Sequence, residues 1–251
     1  MKNQADTLLG GRTRIFQNER GAKASSDSVL LSAAIGARDI AKGADALDAG
    51  VGNGAAAMCL LSRLPAARIT GIDIDAEALA LARLSAAENG FSDRFEALNE
   101  DVLRQSADFK KRLFDIVVTN PPYFSGKAPD DAARARARIS DFDLHAWIKG
   151  CADRLKASGL FAMIHDAGRT GDITAALFKC KFGRIEIFPI ASRAGGDAKR
   201  VAVRAIKGSR SPSALRPPIA MHEANGAWSE AARAILEDGR TLEEALSAQR
   251  F

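Results

Sequence analysis

Short apolar runs of strand character alternate along this chain with longer Ala- and Leu-rich helical stretches, and few folds accept that pattern. A strand, a helix and a second strand in succession place the two strands in parallel, with the helix crossing one face of the sheet. Strands are predicted at 46–49, 68–72, 94–98, 114–119 and 160–164. Two more, 185–190 and 201–206, flank a loop containing Gly195-Gly196 and are expected to form an antiparallel hairpin. Helices are predicted at 29–41, after the capping residues Ser25-Ser26-Asp27, and at 53–64 and 76–89, the last with Asp75 as N-cap. A fourth is marked by Leu144, Trp147, Ile148, Cys151 and Leu155, which recur on one helical face. Two short helices separated by Gly239 close the chain, and Thr241 with Glu244 forms a capping box for the second. The expected fold is therefore α/β, with a mostly parallel sheet and helices on both faces. No domain boundary is visible, so residues 28–251 are expected to form one domain behind an extension at 1–27.

Composition excludes several classes. With 251 residues and 47% hydrophobic content, the chain can bury a full core. Its longest apolar runs, such as residues 55–61, are too short to cross a bilayer. Residues 1–11 lack the apolar centre of a secretion signal, so a cytoplasmic protein is expected. Cys59, Cys151 and Cys180 form no CxxC pair and are expected to be free thiols. His145, His165 and His222 have no ligand spacing, so no metal site is expected. A formal charge of +5 permits a nucleic-acid partner without requiring one.

The segment Asp48-Ala49-Gly50-Val51-Gly52-Asn53-Gly54 follows the first predicted strand of the sheet and opens a helix. Its glycines allow a tight turn and close backbone approach to a ligand. Such a loop suits a dinucleotide as well, but Asp48 would repel a pyrophosphate there. Asp73, at the end of the second strand, suits a pair of ribose hydroxyls, and Ile74 follows it. After the third strand, Asp101 can accept from an adenine amino group with Val102 beside the ring, although Asp101 can equally cap the next turn.

The most specific feature is Asn120-Pro121-Pro122-Tyr123, at the end of the predicted strand 114–119. The lone pair of an aromatic amino group or an amide nitrogen is delocalised, which makes it a poor nucleophile. Two acceptors holding its N–H bonds restore its reactivity. The Asn120 side-chain oxygen can be one and the Pro121 carbonyl the other. Prolines stiffen the loop, and Tyr123 offers an aromatic face for a flat group.

In this order, the glycine loop, Asp73, Asp101 and the tetrapeptide resemble class I S-adenosylmethionine (SAM)-dependent methyltransferases of amino groups. From about residue 8 to residue 237 the chain further resembles bacterial tRNA adenine-N6 methyltransferases acting beside the anticodon of a valine tRNA. The matching parts are residues 23–31, the tetrapeptide, residues 134–140, Lys199-Arg200-Val201 and Trp228-Ser229-Glu230. It departs from that family at Trp228, where Tyr is frequent. The resemblance implies a Rossmann-like, mostly parallel seven-stranded sheet with the C-terminal hairpin, SAM as cofactor and tRNA as partner. It places Asp27, Asp48, Gly50 and Gly52 at the amino-acid end of SAM, and Asp73 with Ile74 at the ribose. Asp101 and Val102 fall at the adenine, and Asn120 to Tyr123 at the target base, with residues 1–27 contributing to the cofactor site.

Arg134, Arg136 and Arg138 alternate with alanine in the loop after the tetrapeptide and are read as RNA contacts, as are Lys199 and Arg200. Other readings stay open at this point. A protein glutamine methyltransferase shares the tetrapeptide for the same electronic reason but usually has a separate N-terminal domain. A ribosomal-RNA guanine-N2 methyltransferase more often has Phe at the position of Tyr123. An NAD(P)-dependent oxidoreductase or a silent RNA-binding module fits fewer of these residues. A monomer is the expected oligomeric state.

Overall fold

The computed structural model describes residues 4–17, 25–40, 43–122 and 143–248. Strands β1 (Gln4–Leu8) and β2 (Thr13–Gln17) pair as a hairpin ahead of helix α1 (Ser26–Ala33). Then come β3 (Asp45–Ala49), α2 (Ala55–Arg63), β4 (Arg68–Asp73), α3 (Ala76–Glu88), β5 (Phe95–Asn99) and β6 (Phe114–Thr119). The second half holds α4 (Leu144–Ala152), β7 (Leu155–Asp166), α5 (Thr170–Lys179), β8 (Phe182–Arg193) and β9 (Ala198–Lys207). Two short strands, β10 (Ala214–Leu215) and β11 (Ile219–His222), precede α6 (Glu230–Leu236) and α7 (Leu242–Ala248).

The main sheet runs β5-β4-β3-β6-β7-β9-β8, and β9 alone is antiparallel to its neighbours. This is the expected seven-stranded sheet with its C-terminal hairpin. Strands β10 and β11 both pair in parallel with β8, extending that edge. Side chains of period 2 divide the core into two layers. Ala46, Ile116, Val118 and Ala162 join α1, α2, α6 and α7 on one face, while Leu47, Val117 and Phe161 join α4 and α5 on the other. Strand order reverses around β3, with β4 on one side and β6 on the other, and ligands bind at such a point beyond the carboxyl ends of the strands.

Two helix boundaries differ from expectation, both through distant contacts. The helix expected over 29–41 stops at Ala33. The Arg63 guanidinium donates to the Ser32 carbonyl and, at 3.1 Å, to that of Ile35, so the last carbonyls are satisfied from α2. Ser25 occupies the N-cap position without a side-chain cap bond among the described residues. The helical face read through Leu155 also overruns. Helix α4 ends at Ala152, and Leu155 opens β7 opposite Phe114. Between them the Arg154 carbonyl accepts from Phe114 N–H at 2.8 Å, drawing the chain into the sheet. The expected caps do form: Asp75 accepts from the N–H groups of Glu77 and Ala78, and Thr241 and Glu244 bond reciprocally.

Candidate active site

Strands β3 and β6 are hydrogen-bonded neighbours, with Ala49 opposite Thr119, so the glycine loop and Asn120 leave the sheet side by side. In the loop, Gly50 and Val51 N–H both donate to the Ile72 carbonyl at 2.9 Å. Gly50, Gly52 and Gly54 have φ of 77°, 53° and 86°, a region that favours glycine. At Gly50 there is also no room, because a Cβ would meet the Trp147 ring at 3.1 Å. Trp147 is itself fixed. Its Nε1–H donates to Thr119 Oγ1 at 2.9 Å, and that hydroxyl donates to the Ala49 carbonyl at 2.7 Å. One indole on α4 thereby holds the ends of β3 and β6 together beneath the loop.

Asp48 is 2% exposed, and its Oδ2 has no hydrogen-bond partner among the described residues. Burial, and then the charge of Asp73, push its carboxyl up to about 7. A buried carboxyl so poorly compensated is a place for a cation such as an α-ammonium group. Asp73 Oδ2 accepts from Gly52 N–H at 2.9 Å and Oδ1 from Asp75 N–H at 3.0 Å. That fixes the carboxylate at the strand end while each oxygen keeps a further lone pair for a hydroxyl. Asn99 Nδ2 donates to the carbonyls of Asp73 and Ile74, both at 3.1 Å, and Ile74 is left 72% exposed. Asp101 caps a turn, its Oδ1 accepting from Leu103 N–H at 2.7 Å. Val102 is 4% exposed and packs in the α4 layer, whereas Leu103, which sequence reasoning did not single out, is 49% exposed.

Asn120 Oδ1 is buried and has no partner among the described residues, beside a buried Pro121 and an exposed Pro122. The acceptor thus meets no donor among the described residues. Tyr123, Arg134, Arg136 and Arg138 lie outside the described residues. On the next strand, His165 is buried, and desolvation followed by the Arg169 charge hold its imidazole down at about 4. Its Nδ1 accepts from Asp166 N–H at 2.8 Å.

Arg200, expected from the sequence to contact RNA, is also engaged within the protein. Its Nε donates to Asp27 Oδ2 at 3.1 Å, and its Nη1 lies 3.6 Å from Asp166 Oδ2. It ties the first turn of α1 to the carboxyl end of β7, while Lys199 beside it is exposed. No local signal reports a pairing across 173 positions. Cys59 and Cys151 are buried free thiols, and burial pushes Cys59 up to about 12, which removes it from nucleophilic chemistry.

The model of the methyltransferase small domain family matches residues 22–186. A tRNA1(Val) (adenine(37)-N6)-methyltransferase of Bacteroides thetaiotaomicron is 31% identical over 194 residues, 75% of this chain and 78% of that protein. A protein of the same name from Porphyromonas gingivalis is 34% identical over 166 residues, 63% of this chain and 64% of its own length. Among solved structures, a protein described as a predicted O-methyltransferase from Agrobacterium tumefaciens superposes with a TM-score of 0.69 at 30% identity, over 86% of this chain and 97% of that one. The chain therefore belongs to the methyltransferase small domain family and is a class I methyltransferase, an enzyme type whose methyl donor is S-adenosylmethionine.

Proposed function

We propose that this enzyme methylates the exocyclic N6 of an adenine in tRNA, with adenine 37 of a valine tRNA as the acceptor that its relatives' names point to. The observation that carries the nitrogen reading is the buried Asn120 Oδ1 at the end of β6, next to the glycine loop and without a partner among the described residues. It accepts one N–H of the amino group, and the Pro121 carbonyl accepts the other. Held this way, the nitrogen lone pair turns out of conjugation and toward the loop, where positioning supplies most of the rate. Bound S-adenosylmethionine supplies a methyl on a positively charged sulfur, so the acceptor needs no basic side chain before attack. After attack the methylated nitrogen carries the positive charge and releases one of its two protons to water.

The residues present fit that cofactor. Asp48, Gly50 and Gly52 line its amino-acid end, with Asp27 at the margin. Asp73 accepts the ribose hydroxyls, Ile74 covers the sugar and ring, and Asp101 with Val102 borders the adenine. The hairpin β1–β2 supports the same site, because Asn53 in the loop donates to the Phe16 carbonyl at 3.3 Å. Tyr123 stacks on the target base, and Arg134, Arg136, Arg138 and Lys199 meet phosphates. The enzyme works in the cytoplasm, where its tRNA is. No helix among the described residues is long and apolar enough to cross a membrane.

The test is nucleoside mass spectrometry of tRNA lacking the modification after incubation with enzyme and methyl-labelled SAM. N6-methyladenosine is the expected product. Label in a 2′-O-methyl nucleoside, in protein alone, or in neither would overturn the reading.

A further inference from the structure

Beyond β8, the carboxyl edge of the sheet carries an aromatic pair that the reaction does not use. Trp228 is 39% exposed and stacks on His222, with ring centroids 4.4 Å apart and 17° between the planes. The pair is held by backbone. From the end of β11 the chain reverses through Gly226 (φ 87°), and Trp228 returns opposite His222. Glu223 N–H donates to the Ala227 carbonyl and Ser229 N–H to that of Met221, both at 2.9 Å.

Trp228 and His222 border a pocket of about 250 Å³ whose other walls include Asp27, Ile190, Lys199 and Arg200. That is smaller than the roughly 300–1,000 Å³ of sites enclosing drug-sized ligands, so it suits one flat group rather than a whole cofactor. Among its lining residues none belongs to the glycine loop, and Asp48, Asp73 and Asn120 are not among them. The pocket lies on the same sheet edge as Asn120. With neighbouring strands about 4.8 Å apart, β9, which carries Arg200, lies roughly 10 Å across the sheet from β6, and β11, which carries His222, roughly 19 Å.

We propose that this pocket is a stacking platform for an unpaired nucleobase of the RNA substrate, a few nucleotides from the adenine being methylated. The proposal rests on the tRNA reading above. Bases splayed from a single-stranded loop stack readily on aromatic side chains, and every base has a face to offer. Arg200, braced by Asp27 and Asp166, forms a rigid wall. Lys199, exposed on the rim, meets the phosphate of the stacked nucleotide.

The experiment measures KM and kcat for an anticodon stem-loop RNA with wild-type, Trp228→Ala and Trp228→Phe enzymes. It is repeated with RNAs abasic at each loop position in turn, and SAM affinity is measured in parallel. Trp228→Ala is expected to raise the RNA KM roughly tenfold, with kcat and SAM affinity unchanged and Trp228→Phe recovering most of the loss. One abasic position should weaken the wild type by a similar factor and Trp228→Ala no further. An unchanged KM in Trp228→Ala, or losses that add at every position, would overturn the platform while leaving the methylation reading standing. An RNA that quenches Trp228 fluorescence but is never methylated supports the platform and sinks the reading of the reaction. An RNA that does neither sinks both.

Discussion

The two halves of the sheet's carboxyl edge are held in different ways. From β3 to β5, carboxylates and carbonyls are fastened by nearby backbone and amide N–H groups. Asp73 holds Gly52 and Asp75, Asn99 holds Asp73 and Ile74, and Gly50 and Val51 share the Ile72 carbonyl. From β7 to β11 the fastening is by side chains: Asp27, Asp166 and Arg200 join remote segments, and His222 stacks on Trp228 across a local turn. The first half is a rigid cradle suited to one invariant cofactor. The second is a more exposed surface of charges and rings, suited to a larger and more variable partner. Asn120, whose Oδ1 has no partner among the described residues, stands at the seam.

If that division holds, disturbing the cradle changes SAM binding and apo stability, and disturbing the seam changes turnover. The largest expected effect is on stability against pH. Asp48 has a folded-state value of about 7, above the ordinary 3.8, so the folded apo protein keeps a proton that the unfolded chain releases. Its contribution is complete below pH 3.8 and is lost as pH rises through about 7. Asp48→Asn is therefore expected to gain on the wild type over that window, by up to about 4 kcal/mol in urea unfolding of the apo protein, while binding SAM more weakly. Parallel pH profiles for the two proteins would break the assignment.

Asn120→Ala is expected to lower kcat by roughly 100-fold or more with SAM affinity nearly intact. Loss of SAM binding with normal turnover at saturation would move Asn120 from the seam into the cradle. Asp73→Ala should weaken SAM binding roughly tenfold to a hundredfold by calorimetry, since a fixed charged acceptor is removed. An unchanged affinity would deny it the ribose. Smallest is Arg200→Ala, expected to cost about 1 kcal/mol or less and to lose even that at high salt, because the ion pairs are partly exposed. A large, salt-independent loss would make this half a second rigid cradle.

What could be read beforehand follows the same line. The strand runs, the glycine loop, the Asp73 and Asp75 division of labour and the capping box of Thr241 all depend on residues within a few positions of one another. The helix ends at Ala33 and Ala152 were misplaced because their terminators act from elsewhere in the fold, through Arg63 and through the pairing of Arg154 with Phe114. The role of Trp147 was hidden similarly: its spacing marks a buried helical face, and only the packing of α4 puts its ring against Gly50.

By itself, then, the sequence determined the alternating α/β fold, the cofactor loop and the Asn120-Pro121 acceptor pair, because periodicity, backbone freedom at glycine and donor–acceptor chemistry are local properties. Tertiary structure alone decided which of these groups are buried, paired or left open. It raised the Asp48 carboxyl by desolvation, left Asn120 Oδ1 without a donor among the described residues, and made Arg200 a brace between Asp27 and Asp166. Burial and long-range pairing depend on which distant segments pack together, and no short window of the chain contains both Asp27 and Arg200.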